Sequence, residues 1–195
     1  MFIQTEDTPN PQSLKFVLDQ TLLADGQPGF DFPSAAAADH APLAAVLFEI
    51  DGVESVFIGS DFVTVTKGES ADWPVLKPHI LTSLSDHLTA GRPIIVEASA
   101  PTPKGPATPL EDYEGEDREV VEQIIELIDT RVRPAVAADG GDIVFQHYEP
   151  KTGIVFLSMH GACQGCPSST MTLKAGIENM LKHYVPEVVS VEPVM

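Results

Sequence analysis

Short β-branched runs and amphipathic segments alternate along the first half of the chain. The stretches at 13–18 and 53–68 are rich in Val, Ile and Phe, a composition that favours strands. The second stretch is divided by Gly-Ser-Asp at 59–61, which predicts a hairpin turn. Apolar residues recur at helical spacing in 41–52 and again in 73–90, so each of these segments is predicted to be an amphipathic helix.

The second half shows the same two periodicities in a different order. A helical stripe runs up to Pro134, which we expect to kink or end the helix. Two apolar runs, 142–148 and 153–160, predict strands joined by a short turn. A second helical stripe follows over 173–184, and the run at 188–194 predicts a last strand. The predicted order is therefore α-β-β-α-β.

A stretch rich in proline and acidic residues separates the two halves. Residues 98–117 contain four prolines, followed by five acids within seven residues. Because proline favours extended chain and like charges repel, this stretch is predicted to be a flexible linker. The sequence thus predicts an α+β protein with two small domains, 1–97 and 118–195.

The chain carries a formal net charge of −18. A surface this acidic repels phosphate backbones, which argues against nucleic acid as a partner. No apolar run has the roughly 18 residues that a membrane span needs, so no membrane partner is predicted. The first residues resemble neither a secretory signal nor an acid-poor transit sequence, and we expect a bacterial cytoplasmic protein, with the mitochondrial matrix after removal of a transit peptide as the alternative.

Chemistry is concentrated in the two cysteines, Cys163 and Cys166, which lie between a predicted strand and a predicted helix. Pro167 suits the first position of that helix, because its missing N–H would have no partner there. The positive end of the helix dipole is then expected to favour thiolate over thiol at both sulfurs. Glycines at 161 and 165 allow the backbone to approach the sulfurs closely. Thiolates in this setting suit either metal ligation or disulfide exchange.

Three functions compete for this motif. A thioredoxin-like dithiol fits poorly, because only 29 residues follow Cys166 and they allow one helix and one strand. Zinc is a second reading, with His160 as a candidate third ligand, although C-x-x-C is only half of a four-cysteine site. An iron–sulfur cluster is the third, since two chains would together supply the four thiolates that such a cluster takes. Spacing alone does not separate zinc held between subunits from a cluster.

Two long segments add a family resemblance. The segments "RPAVAADGGDIVF" (133–145) and "MHGACQGCPSSTMTLKAGIENMLKHYVPEV" (159–188) resemble the C-terminal NifU domain of iron–sulfur cluster carriers. The N-terminal "MFIQTEDTPNPQSLKFVL", with the segment 31–67, resembles the N-terminal domain of the Nfu subgroup. The two resemblances occur in the right order and cover nearly all of the chain except the predicted linker.

The resemblance implies a role and a site. It implies that Cys163 and Cys166 ligate a [4Fe-4S] cluster shared between two protomers of a homodimer. It further implies that upstream assembly proteins supply the cluster and that apo acceptor proteins receive it. The N-terminal domain is then expected to help recognise partners. No catalytic residue is predicted, and the chain is not expected to be an enzyme.

Overall fold

The computed structural model describes residues 2–24, 27–96, 110–163 and 167–194, with the backbone alone for 167–170. The chain divides into two compact units, Met1–Pro103 and Lys104–Met195. Each unit has a hydrophobic core of its own. No helix within the described ranges is long and apolar enough to cross a membrane.

A five-stranded antiparallel sheet forms the first unit. Its strands are β1 (Ile3–Asp7), β2 (Ser13–Leu18), β3 (Phe30–Phe32), β4 (Val53–Ile58) and β5 (Phe62–Lys67). They are arranged in the order β1-β2-β5-β4-β3. The predicted strand at 13–18 is confirmed. The predicted hairpin is confirmed as well, since β4 and β5 pair directly and place Ile58 opposite Val63.

Two helices, α1 (Pro42–Phe48) and α2 (Trp73–Thr89), contribute apolar side chains to the core of this unit. Helix α1 is shorter than the predicted 41–52, because the chain turns after Phe48 and enters β4 through Gly52, whose φ is +99°. Helix α2 has the predicted length. Gly91 follows it at φ +62°, the left-handed conformation that commonly terminates a helix.

Side chains of the turn itself hold the segment between β1 and β2. The Thr8 hydroxyl donates to the Asn10 carbonyl at 2.8 Å, and the Gln12 N–H donates to Asn10 Oδ1 at 3.0 Å. The Trp73 indole N–H donates to the Pro11 carbonyl at 3.2 Å and so ties the turn to the start of α2. The Asn and Pro content of this segment is thus explained by its turn structure.

The second unit has a three-stranded mixed sheet in the order β6-β7-β8. Its elements are α3 (Gly115–Leu127), a π-helical turn (Ile128–Val132), α4 (Arg133–Ala138), β6 (Gly141–Glu149), β7 (Ile154–Gly161), α5 (Pro167–Tyr184) and β8 (Ser190–Val194). Strands β6 and β7 are antiparallel, whereas β8 runs parallel to β7 after the crossover through α5. The predicted order α-β-β-α-β is confirmed.

The predicted linker is wrong in its last eight residues. Residues 110–117 form a 3-10 turn and the first turn of α3, and Tyr113 is 7% exposed within the core of the second unit. The acids that suggested a repelling chain include Glu116 and Asp117 in the first turn of α3, where the helix dipole favours negative charge. Residues 98–109 of the predicted linker lie outside the described residues.

Pro134 interrupts the helix without stopping the chain's helical course. The π-helical turn ends at Val132, and α4 then begins with Pro134 in its first turn and continues to Ala138. Proline is tolerated in a first turn, since its absent N–H would have no partner there. Gly140, at φ +81°, then ends the helical course and leads into β6.

Candidate metal centre

Cys163 lies just beyond the end of β7, and α5 begins four residues later at Pro167. The structure therefore places Cys163 between a strand and a helix, as the sequence predicts, and Pro167 is the first residue of that helix. Cys166 lies outside the described residues, so its part in the site stays a prediction. The Cys163 side chain is 7% exposed and belongs to the core of the second unit.

A glycine pair at the start of β6 makes room for this thiol. A Cβ atom on Gly141 would lie 2.7 Å from Cys163 Sγ and 2.6 Å from the carbonyl oxygen of His160. Both distances are far below van der Waals contact, so any side chain at position 141 would displace the thiol or the backbone. The Ala162 N–H donates to the Gly140 carbonyl at 3.2 Å and joins the cysteine turn to this glycine pair.

The residue after the glycine pair, Asp142, forms a buried ion pair. Its carboxylate accepts two hydrogen bonds from the forked guanidinium of Arg133, from Nε to Oδ1 at 2.9 Å and from Nη2 to Oδ2 at 3.0 Å. It also accepts the Ile143 N–H at 2.8 Å. Arg133 reaches Asp129 as well, at 3.3 Å. This two-pronged geometry fixes the direction of both partners, which a single contact would not do.

The electrostatics of Cys163 oppose ionisation. Burial raises the pKa of its thiol to about 12, and the negative charges of Asp139 and Asp142 act in the same direction. The expectation that the helix dipole would favour thiolate is therefore wrong for Cys163 in the single chain. Desolvation is the largest cause of the raised pKa, because the thiol is enclosed by the core. At neutral pH Cys163 is a protonated thiol.

His160 does not complete a metal site within the described residues. It pairs with Asp142 across β6 and β7, and its Nε2 lies 3.0 Å from the Ser158 hydroxyl. No group of three His, Cys, Asp or Glu side chains suited to a metal ion occurs within the described ranges. The hypothesis of His160 as a third ligand thus receives no support.

The donor chemistry nonetheless fits a soft metal centre. Thiolates suit zinc and iron–sulfur clusters, and Cys163 lies in a turn at the end of the sheet. The described part of one chain supplies a single thiol, so the remaining donors have to come from Cys166 or from another chain. Sequence reasoning missed Arg133, Asp142 and the packing role of Gly141. The segment "RPAVAADGGD" contained them, but nothing in its periodicity shows that its charged ends meet.

Two family models match the chain, one in each unit. The model described as the N-terminal domain of the scaffold protein Nfu/NifU matches residues 3–91, and the model of the NifU-like domain matches residues 124–192. The order and extent of the two matches agree with the resemblance seen in the sequence. The chain belongs to the Nfu family, which joins an Nfu N-terminal domain to a NifU-like domain.

Full-length alignments connect the chain to particular relatives. It is 50% identical to a protein of Drosophila persimilis named NFU1 iron-sulfur cluster scaffold homolog, mitochondrial, over 100% of this chain and 65% of the relative. It is also 50% identical to the protein of the same name from Drosophila virilis, over 100% of this chain and 62% of the relative. The chain thus spans less than two thirds of the length of either protein.

Solved structures show a weaker likeness. The solution NMR structure of a NifU-like protein from Saccharomyces cerevisiae is 32% identical and covers 49% of this chain and 84% of its own, with a TM-score of 0.45.

Proposed function

We propose that this chain is an iron–sulfur cluster scaffold and carrier that binds a [4Fe-4S] cluster between two copies and passes it to apo acceptor proteins. The observation that carries the proposal is the Cys163 thiol at the sheet end of a NifU-like domain, in a chain 50% identical to named iron–sulfur scaffolds. Cys163 and Cys166 of each copy supply the four thiolates that the cluster takes.

Loading of the cluster displaces protons from the thiols. Each Cys163 binds iron as a thiolate and releases its proton to solvent, since a metal ligand must be deprotonated. Until iron arrives, the raised pKa keeps the Cys163 sulfur protonated, and a protonated thiol is a poor nucleophile. The empty carrier is thereby protected from alkylation and disulfide exchange at this residue.

Transfer follows from the way the ligands are divided. Because each copy contributes only two sulfurs, separation of the two copies halves the ligand set at once. Thiolates of an acceptor protein then replace the carrier's sulfurs one at a time, and the cluster moves to the site that binds it more tightly. No bond of an organic substrate is made or broken, so we assign no catalytic residue and no enzyme activity.

Anaerobic reconstitution with iron and sulfide tests this proposal. We expect a brown protein with about four irons and four sulfides per two chains, as a shared [4Fe-4S] cluster requires, and a native mass of two chains. A colourless protein that binds zinc and no sulfide would replace the proposal with a zinc-bridged module. A metal-free protein that cycles a disulfide and reduces a protein disulfide substrate would replace it with a dithiol redox protein.

We further propose that the first unit recognises partners. It has a complete core and none of the chain's cysteines, so cluster ligation does not require it. A chain lacking residues 1–97 is expected to bind the cluster with unchanged stoichiometry and to deliver it more slowly to some acceptors. Equal delivery rates by the full and shortened chains to every acceptor tested would remove this role.

The sequence and the names of the relatives suggest different locations in the cell. The expected cytoplasmic location finds no support in the two relatives, whose names place those proteins in mitochondria. The mitochondrial matrix agrees with those names, and we propose it as the alternative location. Fractionation of the source cells, with the chain detected by antibody, distinguishes the two.

A further inference from the structure

We propose that Arg133 and Asp142 are positioning residues for Cys163, because their ion pair holds the glycine wall against which the thiol lies. This inference uses the proposed function only in treating Cys163 as a cluster ligand. The ion pair itself is 2.9–3.0 Å long and has a carboxylate that is 8% exposed.

The Cys163 thiol lies against the backbone of Gly141. A Cβ atom on Gly141 would lie 2.7 Å from Cys163 Sγ and 3.4 Å from Cys163 Cβ, so the thiol fits only because position 141 carries no side chain. Gly141 also pairs with Gly161 across β6 and β7, two residues before the cysteine. The position of the thiol is therefore set by the backbone of residues 140–141.

The Arg133–Asp142 ion pair restrains that backbone. Asp142 follows Gly141 directly, and its carboxylate is held by the Arg133 fork and by the Ile143 N–H. Glycine has more backbone freedom than any other residue, so a glycine pair needs an external restraint to keep one conformation. The ion pair supplies this restraint from the first residue of α4, across the turn that joins α4 to β6.

Arg133 is itself positioned by the turn that precedes it. The π-helical turn Ile128–Val132 directly precedes it, and Asp129 within that turn accepts a second contact from its guanidinium at 3.3 Å. π-Helical turns shift the register of the residues that follow them and recur at functional sites. The Arg133 guanidinium thus contacts two carboxylates, that of Asp129 in the preceding π-helical turn and that of Asp142 in β6.

Alkylation of Cys163 tests the proposal without any cluster. In a Cys166→Ser background Cys163 is the only thiol of the full chain, so the rate of iodoacetamide labelling reports its seat alone. We expect Arg133→Gln to raise this rate at least about tenfold, and Arg133→Lys, which keeps the charge and loses the fork, to raise it by a smaller factor. Gly141→Ala places a methyl group against the Cys163 sulfur, so its labelling rate serves as the reference for a displaced thiol.

A matched control is provided by Arg131, which lies two residues away and contacts the ring of Tyr184 at 4.9 Å. Arg131→Gln is expected to leave the labelling rate within about twofold of the parent. Labelling is repeated in low concentrations of urea, since a local opening is insensitive to denaturant whereas global unfolding is not. A raised rate that does not change with urea supports positioning.

Two outcomes would overturn the proposal. One is a folded Arg133→Gln chain that labels at the parental rate. The other is a raised rate that climbs with urea as global unfolding does, which would reduce the pair to a general stabiliser. If Arg133→Gln does not fold, Asp142→Asn decides by the same two criteria, because its amide oxygen still accepts the Ile143 N–H. Iron and sulfide counts on the same variants with Cys166 restored are a separate experiment, so failure of the seat and failure of cluster binding are distinguishable.

Discussion

Each of the two units contains an ion pair with one buried partner, and the two pairs differ in geometry and surroundings. In the first unit Lys15 approaches Glu6 at 3.4 Å, Glu6 is half exposed, and the ammonium also lies 4.8 Å from the centre of the Phe62 ring. In the second unit Arg133 grips a buried Asp142 with two shorter bonds. Only the second pair adjoins the wall of a buried thiol.

The comparison separates the demands of folding from those of the site. Each unit has a large apolar core that stabilises its fold, so neither fold needs its ion pair to replace a missing core. A buried carboxylate is costly to desolvate, and replacing such a pair by apolar residues is often neutral or stabilising. The forked pair beside Gly141 is therefore better explained by the placement of Cys163 than by stability.

The largest effect is expected from the cysteines. Cys163→Ser and Cys166→Ser should each abolish cluster binding, because serine is a poor ligand for iron–sulfur clusters, while both units stay folded. Iron and sulfide counts after reconstitution, with far-UV circular dichroism as the fold control, measure this. A folded Cys166→Ser chain with full cluster content would remove Cys166 from the ligand set.

Next in size is the loss of one partner from each ion pair. Arg133→Gln removes the guanidinium that faces a buried carboxylate and should destabilise the second unit by about 3 kcal/mol. Glu6→Gln removes a half-exposed partner at 3.4 Å, and the Lys15 ammonium keeps its contact with the Phe62 ring, so the first unit should lose at most about 1 kcal/mol. Native-state hydrogen exchange in the full chain measures each unit separately. Equal losses in the two units would erase the contrast.

Alkaline pH should weaken the second unit through Cys163. Its pKa is near 9 when unfolded and about 12 when folded, so the unfolded chain loses this proton first. The stabilising contribution is complete below pH 9 and declines as pH rises toward 12, by about 1.4 kcal/mol at pH 10. Urea unfolding at pH 8 and pH 10 measures it.

The control for this experiment is Cys163→Ala, which has no thiol to titrate at this position. The difference in unfolding free energy between the parent and Cys163→Ala should shrink by that amount between the two pH values. A difference that stays constant would show that Cys163 ionises normally in the folded chain.

The smallest effect is expected at Gly176, in the middle of α5. A Cβ atom there would meet nothing within 4 Å, so Gly176→Ala should stabilise the second unit by roughly 0.5–1 kcal/mol through helix propensity alone. Gly141→Ala is the matched glycine and should be destabilising. Thermal unfolding of the two variants without metal gives both signs. A destabilising Gly176→Ala would reveal a contact at that face of α5.

Periodicity and turn chemistry in the sequence were enough to predict β2, the β4–β5 hairpin, the helices α1 and α2 and the α-β-β-α-β order of the second unit, but not the short strands β1 and β3. Strand and helix positions follow from local spacing of apolar residues, and the ends of α2 and α4 follow from glycines that tolerate positive φ. The C-x-x-C motif likewise stood out without a fold, because two cysteines three apart in a chain with no others have few roles. The placement of Cys163 between a strand and a helix was predictable as well, because the segments on either side of it show strand and helix periodicity.

Tertiary structure alone decided which charges and glycines matter. Residues 110–117 were predicted to be linker because of their acidic composition, which does not reveal that Tyr113 is buried in the core. Gly141 and Gly176 are the same residue type in the sequence, yet Gly141 faces the Cys163 sulfur and Gly176 faces open space. The protonated state of Cys163 and the Arg133–Asp142 fork depend on burial and on contacts across a turn. Both features arise from residues that are distant in sequence and come together only in the folded chain. Local sequence patterns therefore do not predict them.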